Sequence, residues 1–120
     1  MHDINQLIRD LDRLDTKNMY QDDFLLTWDK SDDEIQAVFK VADALRTMRE
    51  NNISPDIFNS GLAVSLFRDM STRTRFSYAS ASNLLGMTVQ DLDEGKSQII
   101  HGETVRETAN MISFMADSIG

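Results

Sequence analysis

Apolar positions in the first 60 residues recur at the spacing of an α-helix. They repeat every three or four residues between Ile4 and Leu14, and Asp3 stands where a helix N-cap would lie. Ser31 begins a capping-box pattern that Glu34 completes three residues later. Behind it runs an apolar stripe at helical spacing, formed by Ile35, Val38, Phe39, Ala42, Leu45 and Met48. The sequence therefore predicts two amphipathic helices with a loop at residues 16–28 between them.

The pattern changes after a turn-rich connector at residues 51–61, which holds the only proline. Residues 62–67 are almost continuously apolar, as is typical of a strand covered on both faces of a parallel sheet. A helix is predicted from about Thr74 to Leu85, with Gly86 at its C-terminal cap. Residues 87–92 predict the next strand, so that one βαβ unit extends from residue 62 to residue 92.

The end of the chain predicts one more helix and a turn into a strand. A glycine-bearing loop at residues 93–102 leads to a helix from Glu103 to about Ala116. Its buried stripe is expected at Val105, Ala109, Ile112 and Met115 or Ala116. Residues 117–120 have the pattern of a turn into a third strand. Since two parallel strands make a poor sheet by themselves, we expect an α/β fold with a partial parallel sheet, preceded by the two amphipathic helices.

Length and composition narrow the classes of function. The 120 residues suffice for one domain with a buried core. The formal net charge of -8 argues against general binding to nucleic acid or to an anionic membrane. The absence of cysteine excludes disulfides, thiolate metal sites and cysteine nucleophiles. We find neither a secretory signal nor an apolar run of about 20 residues, and we expect a cytoplasmic protein.

Residues 67–75 carry the candidate chemistry, because they connect the end of a buried strand to the start of a helix. Ligands bind at that edge of an open α/β sheet, and a helix N-terminus offers free N–H groups and a positive dipole end to a phosphate. Ser71, Thr72 and Thr74 add hydroxyl donors. Arg73 adds a planar fork that can hold two phosphate oxygens. This combination predicts an anion site.

A plainer interpretation of the same residues is helix capping and surface charge. Residues 70–90 hold two arginines and no acidic residue, and the segment lies where ligands bind, but the residues alone leave both interpretations open. The segment is not a phosphate-binding P-loop. The glycine-lysine-serine run at residues 95–97 is not one either, because it lacks a glycine five residues before Gly95 and does not join a strand to a helix.

The run from Phe67 to Arg75, with Ser-Thr-Arg-Thr-Arg at its centre, resembles the carbamoyl-phosphate signature of the aspartate/ornithine carbamoyltransferase family. The resemblance covers essentially the whole chain and is strongest to the YgeW-type branch. One departure is Asp69, where the family usually has Glu or Lys. The other matching runs are Phe24-Leu25-Leu26-Thr27, Gly95-Lys96-Ser97-Gln98, His101-Gly102-Glu103-Thr104 and Glu107-Thr108-Ala109.

The resemblance implies a role for each residue of the signature. Ser71, Thr72, Arg73 and Thr74 would cradle the phosphate of carbamoyl phosphate, and Thr74 would also touch its carbonyl oxygen. Arg75 would pair with an acid inside the domain.

Two later residues resemble family positions at the border between subunits. Gln98 is similar to a residue that reaches into the neighbouring subunit's site. His101 stands where aspartate carbamoyltransferases carry a lysine that reaches the phosphate; a surface role at the helix start is the alternative for it.

The resemblance also implies the reaction: a carbamoyl group moves from carbamoyl phosphate to the amine of an amino-acid-like acceptor, and phosphate leaves. No metal and no organic cofactor would be needed. Aspartate, ornithine, a derivatised ornithine and other amines remain open as acceptors. The family assembles as homotrimers, with sites between subunits, and works in amino acid metabolism.

Under this resemblance, residues 1–120 are an incomplete N-terminal carbamoyl-phosphate-binding domain. The family's next arginine would fall just past Gly120, and the amine-substrate domain would follow later, so we expect this span to be inactive alone. Two alternatives stay open. One is a non-catalytic anion-binding or regulatory module, and the other is a phosphate-binding domain of unrelated chemistry.

Overall fold

The structure is a computed structural model that describes residues 3–67, 71–92 and 104–120. It divides into two compact units, Met1–Ser54 and Pro55–Gly120. In the described ranges the first unit is helical and the second is an α/β layer. No helix within those ranges combines the length and the apolar character that crossing a membrane requires.

The two predicted helices of the first unit are present, with the predicted caps. Helix α1 is Ile4–Leu11, and the carboxylate of its N-cap Asp3 accepts a hydrogen bond from the Asn5 N–H at 2.9 Å. Helix α2 is Asp32–Glu50. Its N-cap Ser31 and the carboxylate of Glu34 satisfy each other's backbone N–H groups, at 3.2 and 2.8 Å. The predicted loop between the helices contains one short 3-10 turn, Thr27–Asp29.

The packing of α2 differs from the predicted apolar stripe. Leu7 of α1 and Ala37 of α2 are buried, and an ion pair of 3.3 Å joins Lys40 to Asp10. Phe39 is 61% exposed, however. Helix α1 has eight residues and α2 has nineteen, so α1 covers only part of α2. No other described element of the first unit covers the rest of the apolar face of α2. Of the predicted stripe, Ile35, Leu45 and Met48 are half-buried, whereas Val38, Phe39 and Ala42 are exposed.

The second unit is a three-stranded parallel sheet with strand order β2-β1-β3. Strand β1 is Leu62–Ser65, strand β2 is Thr88–Asp91 and strand β3 is Ser118–Ile119. In the register, Ala63 lies opposite Val89 on one side and Ser118 on the other. The central position of β1 explains why its residues 63–65 are buried. The predicted parallel βαβ unit and the predicted third strand are therefore confirmed.

Helix α3 crosses from β1 to β2 and spans Thr72–Leu84, so it begins two residues earlier than predicted. Its C-terminal end follows the prediction, because Gly86 has a φ of +96°, a conformation that favours glycine. A Cβ at Gly86 would also lie 2.0 Å from Oδ1 of Asp56. The sharp exit from α3 into β2 thus needs this glycine.

Helix α4 is Val105–Ser113, and Thr104 and Glu107 form its capping box. Its buried positions are Thr108 and Ile112, whereas Val105 is 49% and Met115 is 61% exposed. The predicted stripe of α4 is therefore wrong except at Ile112 and at Ala116, which is half-buried. The helix ends at Ser113, before the predicted end near Ala116, so Met115 and Ala116 both lie past it. The buried line passes through Thr108, which an apolar pattern does not reveal.

Candidate functional site

Four of the predicted site residues lie together at the N-terminus of α3. Ser71 is the N-cap, and Thr72, Arg73 and Thr74 are the first three helical residues. The prediction that the helix starts near Thr74 is wrong by one half-turn: the Arg75 N–H already donates to the Ser71 carbonyl at 3.1 Å. Thr72, Arg73 and Thr74 therefore belong to the first turn, whose N–H groups have no acceptor within the helix.

This helix start differs from the other three in the described chain. Asp3 caps α1 with a carboxylate, and capping boxes close α2 and α4. The side chain of Ser71, in contrast, forms no cap hydrogen bond, and the first turn of α3 holds no acid. The N–H groups of residues 72–74 and the positive end of the helix dipole therefore stay available to an anion.

The side chains of the same turn add further donors. The hydroxyls of Ser71 and Thr74 lie 2.8 Å apart, and either can donate to the other. Both Thr72 and Arg73 are exposed. The guanidinium of Arg73 forms no hydrogen bond or ion pair with any residue of the described ranges, so none of those residues occupies its five N–H donors.

Arg75, two residues farther along, is already committed to partners inside the unit. It donates to Oδ2 of Asp91 at 2.6 Å and to the carbonyl oxygen of Phe67 at 2.9 Å. The other carboxylate oxygen of Asp91 accepts from the Ser65 hydroxyl at 2.7 Å. The expectation that Arg75 pairs with an acid inside the domain is confirmed. The pairing also places the positive charge of Arg75 beside the carboxylate of Asp91, the last residue of β2.

A second set of contacts ties α3 to β3. The ring of Tyr78 packs edge-on against Phe67, with centroids 6.1 Å apart, and its hydroxyl is 3.0 Å from Oγ of Ser118. A Cβ at Gly120 would lie 2.4 Å from the Tyr78 ring. Gly120 also bonds to the backbone of β1, since its N–H donates to the Val64 carbonyl at 2.9 Å, and its carbonyl accepts from the N–H of the next residue but one, Leu66, at 2.8 Å. The carboxyl ends of the strands are thus fastened to α3.

Sequence reasoning did not identify Ser65, Asp91 and Tyr78 as part of this neighbourhood. A signal was present for Asp91, because it is the last residue but one of the predicted strand at residues 87–92, at the edge where ligands bind in parallel sheets. The pairing of Tyr78 with Ser118 had no such signal, since it depends on the register of a two-residue strand. Gln98 and His101, the residues predicted to serve a neighbouring subunit, lie outside the described residues.

Comparison with known proteins agrees with the signature. Residues 22–120 match the family model of the aspartate/ornithine carbamoyltransferase, carbamoyl-P binding domain. YgeW of Escherichia coli, a candidate carbamoyltransferase, is 63% identical over all 120 residues, which are 30% of its own length. The catabolic ornithine carbamoyltransferase of Treponema denticola is 31% identical over 113 residues, which are 94% of this chain and 33% of that protein.

A solved structure carries the same fold. Aspartate transcarbamoylase from Trypanosoma cruzi, in complex with carbamoyl aspartate and phosphate, superposes with a TM-score of 0.71 at 23% sequence identity. The match covers 80% of this chain and 31% of that one. Across these comparisons the chain spans about a third of the length of the proteins that it resembles.

Proposed function

The chain belongs to the aspartate/ornithine carbamoyltransferase family, and from that membership we propose that it supplies the carbamoyl-phosphate-binding part of a carbamoyltransferase. The whole enzyme would move a carbamoyl group from carbamoyl phosphate to the amine of an amino-acid-like acceptor and release phosphate. The observation that carries this proposal is the open N-terminus of α3, where no side chain caps the helix and Arg73 has no described partner.

The geometry of α3 suits a phosphate group. The N–H groups of residues 72–74 point along the helix axis toward the cap, and aligned peptide dipoles place about half a positive charge there. Arg73 can contribute two parallel N–H donors to two phosphate oxygens. The hydroxyls of Ser71 and Thr74 complete the donor set. A protein with a net charge of -8 can bind an anion here because the field at a cleft depends on nearby groups.

The same donors can assist the proposed reaction. A neutral amine attacks the carbonyl carbon, and the carbonyl oxygen becomes an oxyanion. The bond to the phosphate oxygen then breaks, and the departing phosphate takes up the proton that the amine nitrogen loses. Arg73 and the amides of residues 72–74 would stabilise the charge that develops on the departing phosphate. The Thr74 hydroxyl would donate to the oxyanion. Holding both substrates in line provides much of the remaining acceleration.

The proposal extends to the whole protein. We place residues 1–120 at the front of an N-terminal carbamoyl-phosphate-binding domain, with the amine-binding residues in the part that the longer relatives have in addition. The family resemblance further supports a homotrimer in which Gln98 and His101 serve a neighbouring subunit, and a role in cytoplasmic amino acid metabolism.

Replacement of Arg73 tests the proposed substrate. In the whole protein, Arg73→Ala should weaken the binding of carbamoyl phosphate by about 1.5 to 3 kcal/mol, the range of a charge-assisted hydrogen bond. Isothermal titration calorimetry measures this difference.

Arg106→Ala is the matched control, because Arg106 occupies the same second helical position on α4, whose N-terminus is closed by a capping box. It should leave the affinity unchanged. Equal affinities for carbamoyl phosphate in the unsubstituted protein and in Arg73→Ala would contradict the assignment of Arg73.

A further inference from the structure

The carboxylate of Asp91 connects three elements at the edge of the sheet where the candidate site lies. Its Oδ1 accepts from Ser65 at the end of β1, and its Oδ2 accepts from Arg75 on α3. Asp91 itself is the last residue of β2. Each carboxylate oxygen therefore has a donor, and these two donors come from different elements.

Arg75 extends this connection to the chain that enters the site. One guanidinium nitrogen binds Asp91, and another donates to the carbonyl of Phe67 at 2.9 Å. Phe67 precedes the site residues Ser71–Thr74 in sequence and Arg75 follows them, so the two attachment points bracket the site. A planar guanidinium can hold both acceptors at once, whereas the single nitrogen of a lysine presents no such fork.

Such an arrangement matters because free amides bind an anion well only when they are held in place. A first turn without a side-chain cap lacks the hydrogen bond that holds the N-terminal amides of the other helices, and ordering it further upon binding would cost conformational entropy. The network of Ser65, Asp91 and Arg75 supplies fixed partners from the sheet. Ser65 is only 3% exposed, so one end of the network lies in the core.

We propose that Asp91 and Arg75 are positioning residues, which hold the first turn of α3 in the geometry that binds phosphate. This inference rests on the proposed function and deepens it. Neither residue needs to contact the ligand: Arg75 acts through the backbone on both sides of the site, and Asp91 acts through Arg75.

Asp91→Asn gives a test in which positioning and simple electrostatics have opposite signs. The substitution removes a negative charge near an anion site, so Coulomb attraction alone predicts tighter binding of carbamoyl phosphate. Positioning predicts weaker binding, because the asparagine amide has no charge to pair with Arg75. It also has one oxygen, so it cannot accept the hydrogen bonds of both Ser65 and Arg75 as the carboxylate does. We expect the dissociation constant to rise about tenfold.

The measurement is titration calorimetry of the whole protein with carbamoyl phosphate and, separately, with inorganic phosphate, at a temperature where circular dichroism shows each variant folded. Asp43→Asn is the matched control, since it also removes the carboxylate partner of an arginine, Arg46, but on α2. It should leave the dissociation constants unchanged. Ser65→Ala removes the hydrogen bond to Asp91 without changing a charge, and it should weaken binding less than Asp91→Asn. If Asp91→Asn does not fold, Ser65→Ala provides the test in its place.

The outcomes separate the inference from the function on which it rests. Unchanged or tighter binding in folded Asp91→Asn, or in Ser65→Ala when Asp91→Asn does not fold, overturns the positioning role and leaves the proposed function standing. If the unsubstituted protein binds inorganic phosphate but not carbamoyl phosphate, the proposed function fails and weaker phosphate binding in the variants still supports positioning. Binding of neither anion overturns both.

Discussion

Arg73 and Arg75 lie two positions apart on α3 and have different surroundings. Arg73 and Arg75 differ by about 200° around the helix axis, so their side chains leave α3 on nearly opposite sides. Arg75 reaches the sheet and binds Asp91, whereas Arg73 is exposed and forms no contact of this kind in the described chain. Under the proposed function, Arg73 would bind the ligand with its free N–H donors, and Arg75 would hold Asp91 and the Phe67 carbonyl at once.

Another residue pair links the stability of the first unit to pH. Lys30 donates a hydrogen bond to Asp22, which holds the pKa of that carboxyl below its usual range. The same hydrogen bond raises the pKa of Lys30. The contribution of Asp22 is present above the pKa of the unfolded carboxyl and is lost as pH falls through the lower folded pKa. That of Lys30 is present below its unfolded pKa and is lost as pH rises through the higher folded value.

We predict that Asp22→Asn reduces the acid sensitivity of folding. The unsubstituted protein should lose more stability than this variant as pH falls from 7 to below about 4, the usual range of a carboxyl pKa. Urea denaturation at a series of pH values measures the difference, which should be small because Asp22 is exposed. Asp23→Asn is the control, since that carboxylate forms no ion pair within the described ranges. Parallel pH profiles for the unsubstituted protein and Asp22→Asn would refute the prediction.

At the scale of elements, side-chain caps distinguish α3 from the other described helices. Ser31 and Thr104 each accept from the N–H of a glutamate three residues on, and both helices are closed by that glutamate. Ser71 is likewise the N-cap of α3, but Thr74 stands where α2 and α4 have glutamate. A hydroxyl cannot close the turn as a carboxylate does, and it adds no negative charge to repel a phosphate.

The same substitution at two helix caps should therefore have different consequences. Ser31→Ala should lower the free energy of unfolding by about 1 kcal/mol, because it removes a cap hydrogen bond. Ser71→Ala should lower it by less than about 0.5 kcal/mol, yet it should weaken the binding of carbamoyl phosphate by about 0.5 to 1.5 kcal/mol. Urea denaturation and calorimetry measure the two effects. Ser31→Thr, which keeps the hydroxyl, should restore most of the stability. A stability loss at Ser71 as large as that at Ser31 would show that Ser71 is a structural cap.

Local patterns predicted the elements better than they predicted the contacts between them. The capping box at Ser31 and the glycine after α3 are encoded within a few residues, so they could be recognised in the sequence. The start of α3 was misplaced because Ser71, Thr72 and Arg73 suit a loop as well as a first turn. Only the hydrogen bond between the Arg75 N–H and the Ser71 carbonyl decides between them.

At the scale of the whole molecule, the sheet gathers residues that are far apart in sequence. The buried run at residues 62–65 indicated a central strand, and the parallel pairing with β2 and β3 follows from it. The meeting of Ser65 with Asp91, and of Tyr78 with Ser118, depends on register across separate strands. A single sequence does not specify register when strands are two to four residues long. The hydrogen-bond donors at residues 71–74 could therefore be predicted from the sequence. The contacts among Ser65, Asp91 and Arg75 could not.

The net charge is divided unevenly between the two halves of the chain. Residues 1–60 hold 13 acidic and 7 basic residues, and residues 61–120 hold 7 and 5. The excess of negative charge thus belongs mainly to the helical first half. The turn that begins α3 contains an arginine and no acid. An acidic protein can therefore present a local site for an anionic substrate.

The most direct test of this site is a crystal structure of the whole protein with carbamoyl phosphate bound. The phosphate oxygens should lie about 2.7 to 3.1 Å from the amides of residues 72–74 and from the guanidinium of Arg73. Arg75 should remain bound to Asp91 and not to the ligand. Carbamoyl phosphate located away from the N-terminus of α3, or a phosphate there with Arg73 directed away from it, would contradict the assignment.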